Sequence, residues 1–249
     1  MYLIAKRLFD IFSSLFGIII ISPILLVFIV LIFIQDFGNP FYVSDRVGKN
    51  NKLFKIIKLR SMILNADKVG VDSTSSDDIR ITRVGSLVRK FKLDELTQLF
   101  NVLIGNMSLV GPRPNVQRDV DLYSKEELRI LTIKPGITDF SSIIFSDEGD
   151  ILRGSNDPDL LYNQIIRPWK SRLCILYLEN RNLVLDIKLI FWTIKSFISK
   201  PKTLINIQAK LKLLTQDNQL LEICKREKDL LPYAPPGLTN IVSSRDFNS

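Results

Sequence analysis

Two adjacent carboxylates, Asp94 and Glu95, are the residues of this sequence whose types and spacing point most directly to catalysis. They stand at the start of an apolar run with helical spacing, where the positive end of a helix dipole favours ionised carboxylates. Neighbouring helical side chains point about 100° apart, so the two carboxylates would divide the work. One could attack a substrate or accept a proton while the other holds a metal ion. Taken alone, such a pair is far more often only a helix-start cap.

A second candidate is Arg113, which stands between Pro112 and Pro114. Two proline rings restrict the backbone on either side of one guanidinium. A guanidinium held in this way can bind a phosphate through two parallel hydrogen bonds. The plainer interpretation is a turn.

The elements that must position these residues are visible in the spacing around them. Apolar residues recur at helical spacing over 93–103, and Gly105 predicts the end of that helix. Upstream, residues 53–60 predict a short strand or hairpin at a membrane surface that carries Lys58 and Arg60. The basic side chains of this strand suit a lipid-facing patch as well as a phosphate site.

The N-terminal segment predicts a membrane element. Residues 11–34 carry no charge, and a bilayer needs about 20 apolar residues. Ser22 and Pro23 lie mid-span, where proline removes a helix hydrogen bond and bends the helix. Lys6 precedes the span and further cations follow it, so both ends favour the cytoplasm. A kinked, re-entrant helix satisfies both ends, whereas an ordinary transmembrane anchor satisfies one.

Composition limits the chemistry. The 249 residues have a net charge of +8 and no histidine, which excludes Ser-His and Cys-His nucleophile systems. The positive charge predicts an acidic partner, either anionic lipid, a nucleotide phosphate or nucleic acid. No nucleic-acid-binding motif is present, so nucleic acid is the weakest of the three. The two cysteines, Cys174 and Cys224, lack metal spacing and fit a reduced compartment.

Three further features are ambiguous in the sequence. Asp186 lies in an apolar run, where a buried carboxylate needs a cation or a metal, unless it only begins a helix. Asp147 and Glu148 form a second acidic pair, more typical of a solvated turn. Residues 203–214 are basic and amphipathic and could lie on a membrane, and residues 232–249 are rich in turn signals.

Taken as a whole, residues 92–114 resemble the signature of the bacterial sugar transferases, the monotopic phosphoglycosyl transferases. That family typically reads Ser-Leu-Asp-Glu-Leu-Pro-Gln, then Asn-Val-Leu, then Gly-Asp-Met-Ser-Leu-Val-Gly-Pro-Arg-Pro. This chain departs from the pattern at Lys92, Thr97 and Asn106 and keeps the Asp-Glu dyad. The resemblance covers roughly residues 5–198. It is weakest over 139–149, where many members continue with Gly-Trp and where donor-sugar preference is expected to lie.

The resemblance implies a reaction. The family moves a sugar-1-phosphate from a UDP-sugar to a polyprenol phosphate and releases UMP. Asp94 would form a covalent phosphosugar intermediate, and Glu95 would assist as a magnesium ligand. The implied roles of the other site residues are phosphate binding by Lys58, Arg60, Arg89 and Arg113, and magnesium binding by Asp186 together with Glu95.

The resemblance also implies an architecture. The expected fold is α+β and predominantly helical, with a re-entrant membrane helix kinked at Ser22-Pro23 (1–36), a cytoplasmic catalytic domain (37–200) and a basic, loose C-terminal tail (201–249). The expected location is the cytoplasmic face of a bacterial inner membrane. Expected partners are the UDP-sugar, the polyprenol phosphate, membrane lipid and a possible second copy in a homodimer, without nucleic acid. A catalytically inactive membrane-surface scaffold is the alternative function.

Overall fold

A computed structural model describes residues 1–66 and 73–244 of the chain. The fold is α+β and predominantly helical, as the sequence predicts. The helices are α1 Tyr2–Asp36, α2 Arg83–Lys90, α3 Leu93–Leu96, α4 Gln98–Ile104, α5 Gln117–Asp121, α6 Phe140–Ile144, α7 Glu148–Ile151, α8 Pro158–Leu161, α9 Arg167–Asn180, α10 Leu183–Ile198, α11 Lys200–Leu211 and α12 Asn218–Ile223. The strands are β1 Phe41–Val47, β2 Leu53–Leu59, β3 Ser108–Val110 and β4 Gly136–Thr138. Single turns of 3₁₀ or π helix occupy Lys49–Asn51, Glu127–Thr132 and Tyr162–Ile166.

Helix α1 is one helix of 35 residues. Within the described residues it is the one helix that is long and apolar enough to cross a membrane, with a mean hydropathy of 3.3. Pro23 lies inside it, and the Ser22 hydroxyl donates to the Ile19 carbonyl at 2.9 Å. Serine thus adds a local hydrogen bond where proline removes one.

One face of α1 packs on the rest of the protein along its whole length. Near its N-terminus, Arg7 donates to the carbonyls of Val102 and Leu103 at the end of α4, at 2.6 and 2.8 Å. Further along, Leu25 and Ile32 are buried in an apolar cluster with β2, α2 and α3. Helix α1 is therefore attached to the domain at both ends and in the middle.

The strands form two small sheets. β1 and β2 pair antiparallel from Phe41 opposite Leu59 to Val47 opposite Leu53, which confirms the strand predicted over 53–60. β3 and β4 pair parallel, with Ser108 opposite Gly136. β2 contacts α3 and α4, and β3 contacts α4, so both sheets pack against the helices that contain and follow the Asp94-Glu95 pair.

The main core surrounds α9. Trp169, Leu173 and Tyr177 of α9 are buried against α6, α10 and the C-terminal helices. α11 and α12 contribute Leu204, Ile207, Leu211, Leu220 and Cys224 to the same cluster. Residues 200–224 are thus part of the core and not a loose tail, because the apolar face of the amphipathic α11 is buried in protein.

Candidate active site

The acidic pair lies on α3, a single helical turn. Lys92 precedes it with a left-handed backbone (φ 52°), which turns the chain into the helix, and Leu93 is buried beneath it. The Thr97 hydroxyl is placed to donate to the carbonyls of Ile57 and Asp94, each at 2.9 Å. Thr97 stands where the family pattern has proline, so a buried hydroxyl ties α3 to β2 at this position.

Asn101 of α4 also binds the backbone of β2, next to the contact that Thr97 makes with Ile57. Its amide nitrogen donates to the Lys55 carbonyl at 2.7 Å, and its amide oxygen accepts from the Ile57 N–H at 3.0 Å. The side chain thus occupies the place of a neighbouring strand, and satisfies buried backbone groups that would otherwise be costly. The result is that Lys58, the next residue of β2, is held beside Asp94.

The Arg113 loop is fixed by two glycines in close contact. The Gly111 N–H donates to the Thr138 carbonyl at 3.0 Å, and the Gly136 N–H donates to the Pro112 carbonyl at 2.8 Å. A Cβ on Gly136 would lie 2.1 Å from the Gly111 nitrogen, so no side chain fits there. The glycine contact lets the proline-flanked loop pack on β4 and brings Arg113 to α3.

The two carboxylates differ in their ion-pair partners. Glu95 forms an ion pair with Arg113 at 2.7 Å, whereas the one cation that Asp94 contacts within the described residues is Lys58, at 3.9 Å. Burial would raise the pKa of Glu95, but Arg113 and then Lys58 outweigh it and lower that pKa to about 2. Burial raises the pKa of Asp94, with Lys58 acting against the rise and Glu95 adding to it. Asp94 is therefore the carboxylate whose charge is less completely neutralised.

The pair opens into a cavity of about 290 Å³. The described part of its lining holds six cations and four carboxylates, an excess of positive charge suited to an anionic ligand. The cations are Arg46, Lys58, Arg89, Lys92, Arg113 and Lys170, and the carboxylates are Asp94, Glu95, Asp119 and Glu148. Burial lowers the pKa of Lys58 and of Lys92, as expected for ammonium groups with few waters around them.

A second cavity of about 270 Å³ adjoins the first. Its lining includes the apolar side chains of Phe41, Met62 and Leu64, and the cavity lies near the C-terminal end of α1. Asp94, together with Arg46, Lys58, Thr74 and Arg89, belongs to the lining of both cavities. Asp94 therefore stands where a polar and a more apolar cavity meet.

The structure places Arg60 differently from the other predicted phosphate ligands. Its guanidinium contacts both carboxylate oxygens of Asp36, at 2.5 and 2.6 Å, and its Nε donates to the Asn39 carbonyl. Arg60 is only 6% exposed and borders the second cavity, not the first. It fastens the C-terminal end of α1 to β2, and its role as a phosphate ligand stays a prediction.

Asp186 likewise lies away from the carboxylate pair. It accepts hydrogen bonds from Tyr177 at 2.6 Å, Lys6 at 2.7 Å and Tyr2 at 2.9 Å. The buried carboxylate therefore has the cation that the sequence requires, and that cation comes from α1. Asp186 anchors the start of α1 to α10, and its contacts do not support the predicted magnesium role.

A magnesium site made of protein side chains alone is not apparent. Among the described residues, no group of three or more His, Cys, Asp or Glu side chains is suited to a metal. Mg²⁺ often binds through one or two carboxylates and completes its six ligands with phosphate oxygens and water. Glu95 and Asp94 fit that mode in the presence of a phosphate-bearing substrate, although Glu95 must then share its charge with Arg113.

The comparison with family models decides the class of protein. The model described as "Bacterial sugar transferase" matches residues 1–200. The chain belongs to the bacterial sugar transferase family. This confirms the resemblance of residues 92–114, and it leaves the C-terminal helices α11 and α12 outside the matched range.

Curated relatives of this sugar transferase family member carry related names. A UDP-N-acetylgalactosamine-undecaprenyl-phosphate N-acetylgalactosaminephosphotransferase from Aeromonas hydrophila is 33% identical over 203 residues, 80% of this chain and 44% of the relative. The exopolysaccharide production protein PSS of Rhizobium leguminosarum bv. phaseoli is 37% identical over 213 residues, 81% of this chain and 99% of the relative. An undecaprenyl-phosphate galactose phosphotransferase from Salmonella typhimurium is 36% identical over 205 residues, 76% of this chain and 40% of the relative. The chain thus matches less than half of the first and third relatives and nearly all of the second.

Several lining residues of this family member were missed by sequence reasoning. Gln98 is 1% exposed and its amide nitrogen has no hydrogen-bond partner among the described residues, so it offers a donor inside the cavity. Glu148 lines the cavity and pairs with Lys170 of α9, so it does not belong to a solvated turn. Nothing in the local sequence marks Lys170, because its role depends on how α9 packs. Gln98 could have been found, since it belongs to the family signature.

Proposed function

We propose that this protein transfers a sugar-1-phosphate from a UDP-sugar to a polyprenol phosphate at the cytoplasmic face of a bacterial inner membrane, releasing UMP. This would be the first step in building a surface polysaccharide or glycoconjugate. The observation that carries the proposal is the position of Asp94, an incompletely neutralised carboxylate between two cation-lined cavities. Membership of the bacterial sugar transferase family supports it.

The polar cavity suits the donor. A nucleotide diphosphate carries charge that six cations can neutralise, and its phosphates must lie beside a nucleophile to react. Arg113, Lys58 and Arg89 would hold the phosphates near Asp94. Such contacts stabilise the charge that spreads over the phosphoryl oxygens in the transition state.

Asp94 would act as the nucleophile. A carboxylate oxygen of Asp94 forms a bond to the sugar-linked phosphorus, the bond from that phosphorus to the bridging oxygen breaks, and UMP leaves with the electron pair. Glu95 is less suited to this role because its ion pair with Arg113 draws charge away from its oxygens. The product of this step is a phosphosugar joined to Asp94 as a mixed anhydride.

The second cavity suits the acceptor. An oxygen of the polyprenol phosphate would attack the same phosphorus and displace the Asp94 carboxylate, which restores the enzyme and leaves a diphosphate-linked sugar on the lipid. The apolar side of this cavity, near the end of α1, would admit the first isoprene units while Lys58 and Arg89 contact the phosphate. Two half-reactions on one carboxylate predict ping-pong kinetics.

Magnesium remains an expectation of the proposal. Glu95, with Asp94, would hold Mg²⁺ together with the donor phosphates. The ion would supply positive charge against the diphosphate and the leaving UMP. The contacts of Asp186 give it no part in this proposal.

The docking of α1 supports a re-entrant or leaflet-bound position. Lys6 contacts Asp186 near one end and Asp36 contacts Arg60 at the other, about 45 Å apart at 1.5 Å per residue. A helix that crossed the bilayer along this line would take the polar domain packed on it into the hydrocarbon. The opposite face of α1 is apolar and more than half exposed at Phe12, Phe16, Ile19 and Leu26, as a lipid-facing surface requires.

The location of α1 can be tested with two single-cysteine variants, Leu3→Cys near its start and Lys52→Cys in the exposed β1–β2 turn. A membrane-impermeant maleimide should label both from the cytoplasmic side and neither from the periplasmic side of intact cells. The native Cys174 and Cys224 are buried and provide the background. Labelling of the two positions from opposite sides would identify a spanning helix.

The function is tested by UMP release from a panel of UDP-sugars by detergent-solubilised protein, with and without Mg²⁺ and a short polyprenol phosphate. Release of more than one UMP per enzyme that requires both additions supports the proposal and identifies the sugar. A phosphosugar adduct on Asp94, sought by mass spectrometry without acceptor, tests the covalent step separately. Absence of both release and adduct with every donor would favour the inactive scaffold.

A further inference from the structure

Residues 200–226, which begin where the matched family range ends, reach one wall of the polar cavity. The wall consists of residues 145–149, which run from just after the end of α6 to the first residues of α7. Phe145, Ser146, Glu148 and Gly149 line the cavity, whereas Asp147 is not part of its described lining. Asp147 instead makes contacts to the C-terminal helices.

Asp147 is held by two cations from two different elements. Lys200, the first residue of α11, lies 3.0 Å from one carboxylate oxygen, and Arg226, which follows α12, lies 3.2 Å from the other. Burial would raise the pKa of Asp147, but these two cations outweigh it and lower that pKa. The two carboxylate oxygens thus join both ends of the C-terminal helical pair to the middle of the wall.

Arg226 makes a second contact to the wall. Its guanidinium lies 5.4 Å from the centre of the Phe145 ring, within the range of a cation–π interaction. The side chain is 13% exposed, and its backbone adopts the left-handed conformation (φ 58°) that non-glycine residues seldom adopt. The packing around Arg226, including its two contacts to the wall, keeps its backbone in this strained conformation.

The C-terminal helices can keep Lys200 and Arg226 in place against the wall because these helices are packed into the main core. Leu204, Ile207 and Leu211 of α11, with Leu220 and Cys224 at α12, are buried in the main core. The cations at Lys200 and Arg226 are therefore fixed in position by the main core, which also includes Phe145 of the wall. On the cavity side, Glu148 is in turn held by Lys170 of α9.

We propose that Lys200 and Arg226 are positioning residues that set the shape of the Phe145–Gly149 wall, and through it the affinity for the sugar of the donor. This inference rests on the proposed function. The wall presents the hydroxyl of Ser146 and the carboxylate of Glu148, which suit the hydroxyls of a sugar, while the cations around Asp94 suit the phosphates of the donor. The family model ends at residue 200, so Lys200 is its last matched residue and Arg226 lies beyond it; part of this control of specificity would belong to a segment outside the matched range.

The test uses the full-length protein with Arg226→Ala, and Lys225→Ala as the matched control. Lys225 is the neighbouring cation and pairs with Glu222, away from the wall. Binding of UDP and of the cognate UDP-sugar is measured by calorimetry. In Arg226→Ala the UDP-sugar should bind about tenfold more weakly while UDP binds as in the wild type, and Arg226→Lys should recover part of the loss. Equal weakening of both ligands, or of neither, would overturn the proposal.

Hydrogen exchange of the ligand-free protein provides a readout that does not depend on any activity. Amides of residues 145–149 should exchange at least severalfold faster in Arg226→Ala and Lys200→Ala, with the amides of α9 unchanged. Wild-type exchange at 145–149 in both variants would refute the positioning role even if the transferase function holds. If the wild type releases no UMP from any donor while the wall still loosens, the proposed function fails and the positioning contact stands.

Discussion

The two acidic pairs, Asp94-Glu95 and Asp147-Glu148, have the same composition and opposite surroundings. In the second pair each carboxylate has a close cation, Lys200 and Arg226 on one and Lys170 on the other. In the first pair, as far as residues 1–66 and 73–244 show, Glu95 has a close cation and Asp94 does not, since Lys58 lies 3.9 Å from it. In the proposed mechanism, the partners and not the residue types distinguish the reactive carboxylate from the structural ones.

The comparison is tested most strongly by Asp94→Asn. Loss of the nucleophile should lower the rate of UMP release by at least about 1,000-fold and leave membrane association intact. Asp147→Asn is the matched control in the other pair. It should keep the rate of UMP release within about tenfold of the wild type, and its main effect should be on KM for the donor. Turnover of Asp94→Asn near the wild-type rate would rule out the covalent role.

Arg113→Ala tests what separates Glu95 from Asp94. Removing the guanidinium should lower kcat by about 100-fold, because a charge-stabilising donor is lost and Glu95 gains charge beside the nucleophile. The unfolding free energy should fall by about 1–2 kcal/mol, less than for a fully buried pair because Arg113 and Glu95 are 33% and 18% exposed. Arg129→Ala, which breaks an exposed pair with Glu179, is the control for both measurements. Equal effects of the two variants on kcat would contradict a role in the site.

The pH profile of kcat/KM should be bell-shaped. Its acidic limb should lie at higher pH, and its alkaline limb at lower pH, than ordinary aspartate and lysine side chains would give. Asp94 must be ionised to attack, and its raised pKa means that activity is lost on acidification earlier than for an ordinary carboxylate. Lys58 must be charged to bind phosphate, and its lowered pKa means that activity is lost earlier on the alkaline side. Glu95, with a pKa of about 2, stays ionised throughout. Lys58→Arg should move only the alkaline limb, to higher pH, since guanidinium does not titrate there; an unchanged limb would exclude Lys58 as its source.

The smallest catalytic effect is expected for Asp186→Asn. The amide oxygen can still accept from Tyr177, but the amide nitrogen replaces the oxygen that accepts from Tyr2 and Lys6, and Lys6 loses its counter-ion. We expect kcat within about threefold of the wild type, an unchanged Mg²⁺ requirement and a loss of about 1–3 kcal/mol in unfolding free energy. A large increase in the Mg²⁺ concentration needed for activity would restore Asp186 as a metal ligand.

Much of the local structure was predictable from the sequence. The strand at 53–60 and the end of the α4 helix at Gly105 follow from periodicity and glycine chemistry, and the structure confirms them. Residues 92–114 were sufficient to identify the family, and the family comparison confirms it. The apolar length of α1 was likewise readable, because it depends only on consecutive residues.

What only the tertiary structure decided is the pairing of charges. Lys58 and Arg60 are two residues apart and would share a face of an ideal strand, but β2 ends at Leu59 and Arg60 turns to Asp36 at the end of α1. Asp186 obtains its cation from Lys6, 180 residues away in the chain. A sequence gives the number and types of charged groups, but ion pairs form over a few ångströms between elements whose packing determines which groups meet.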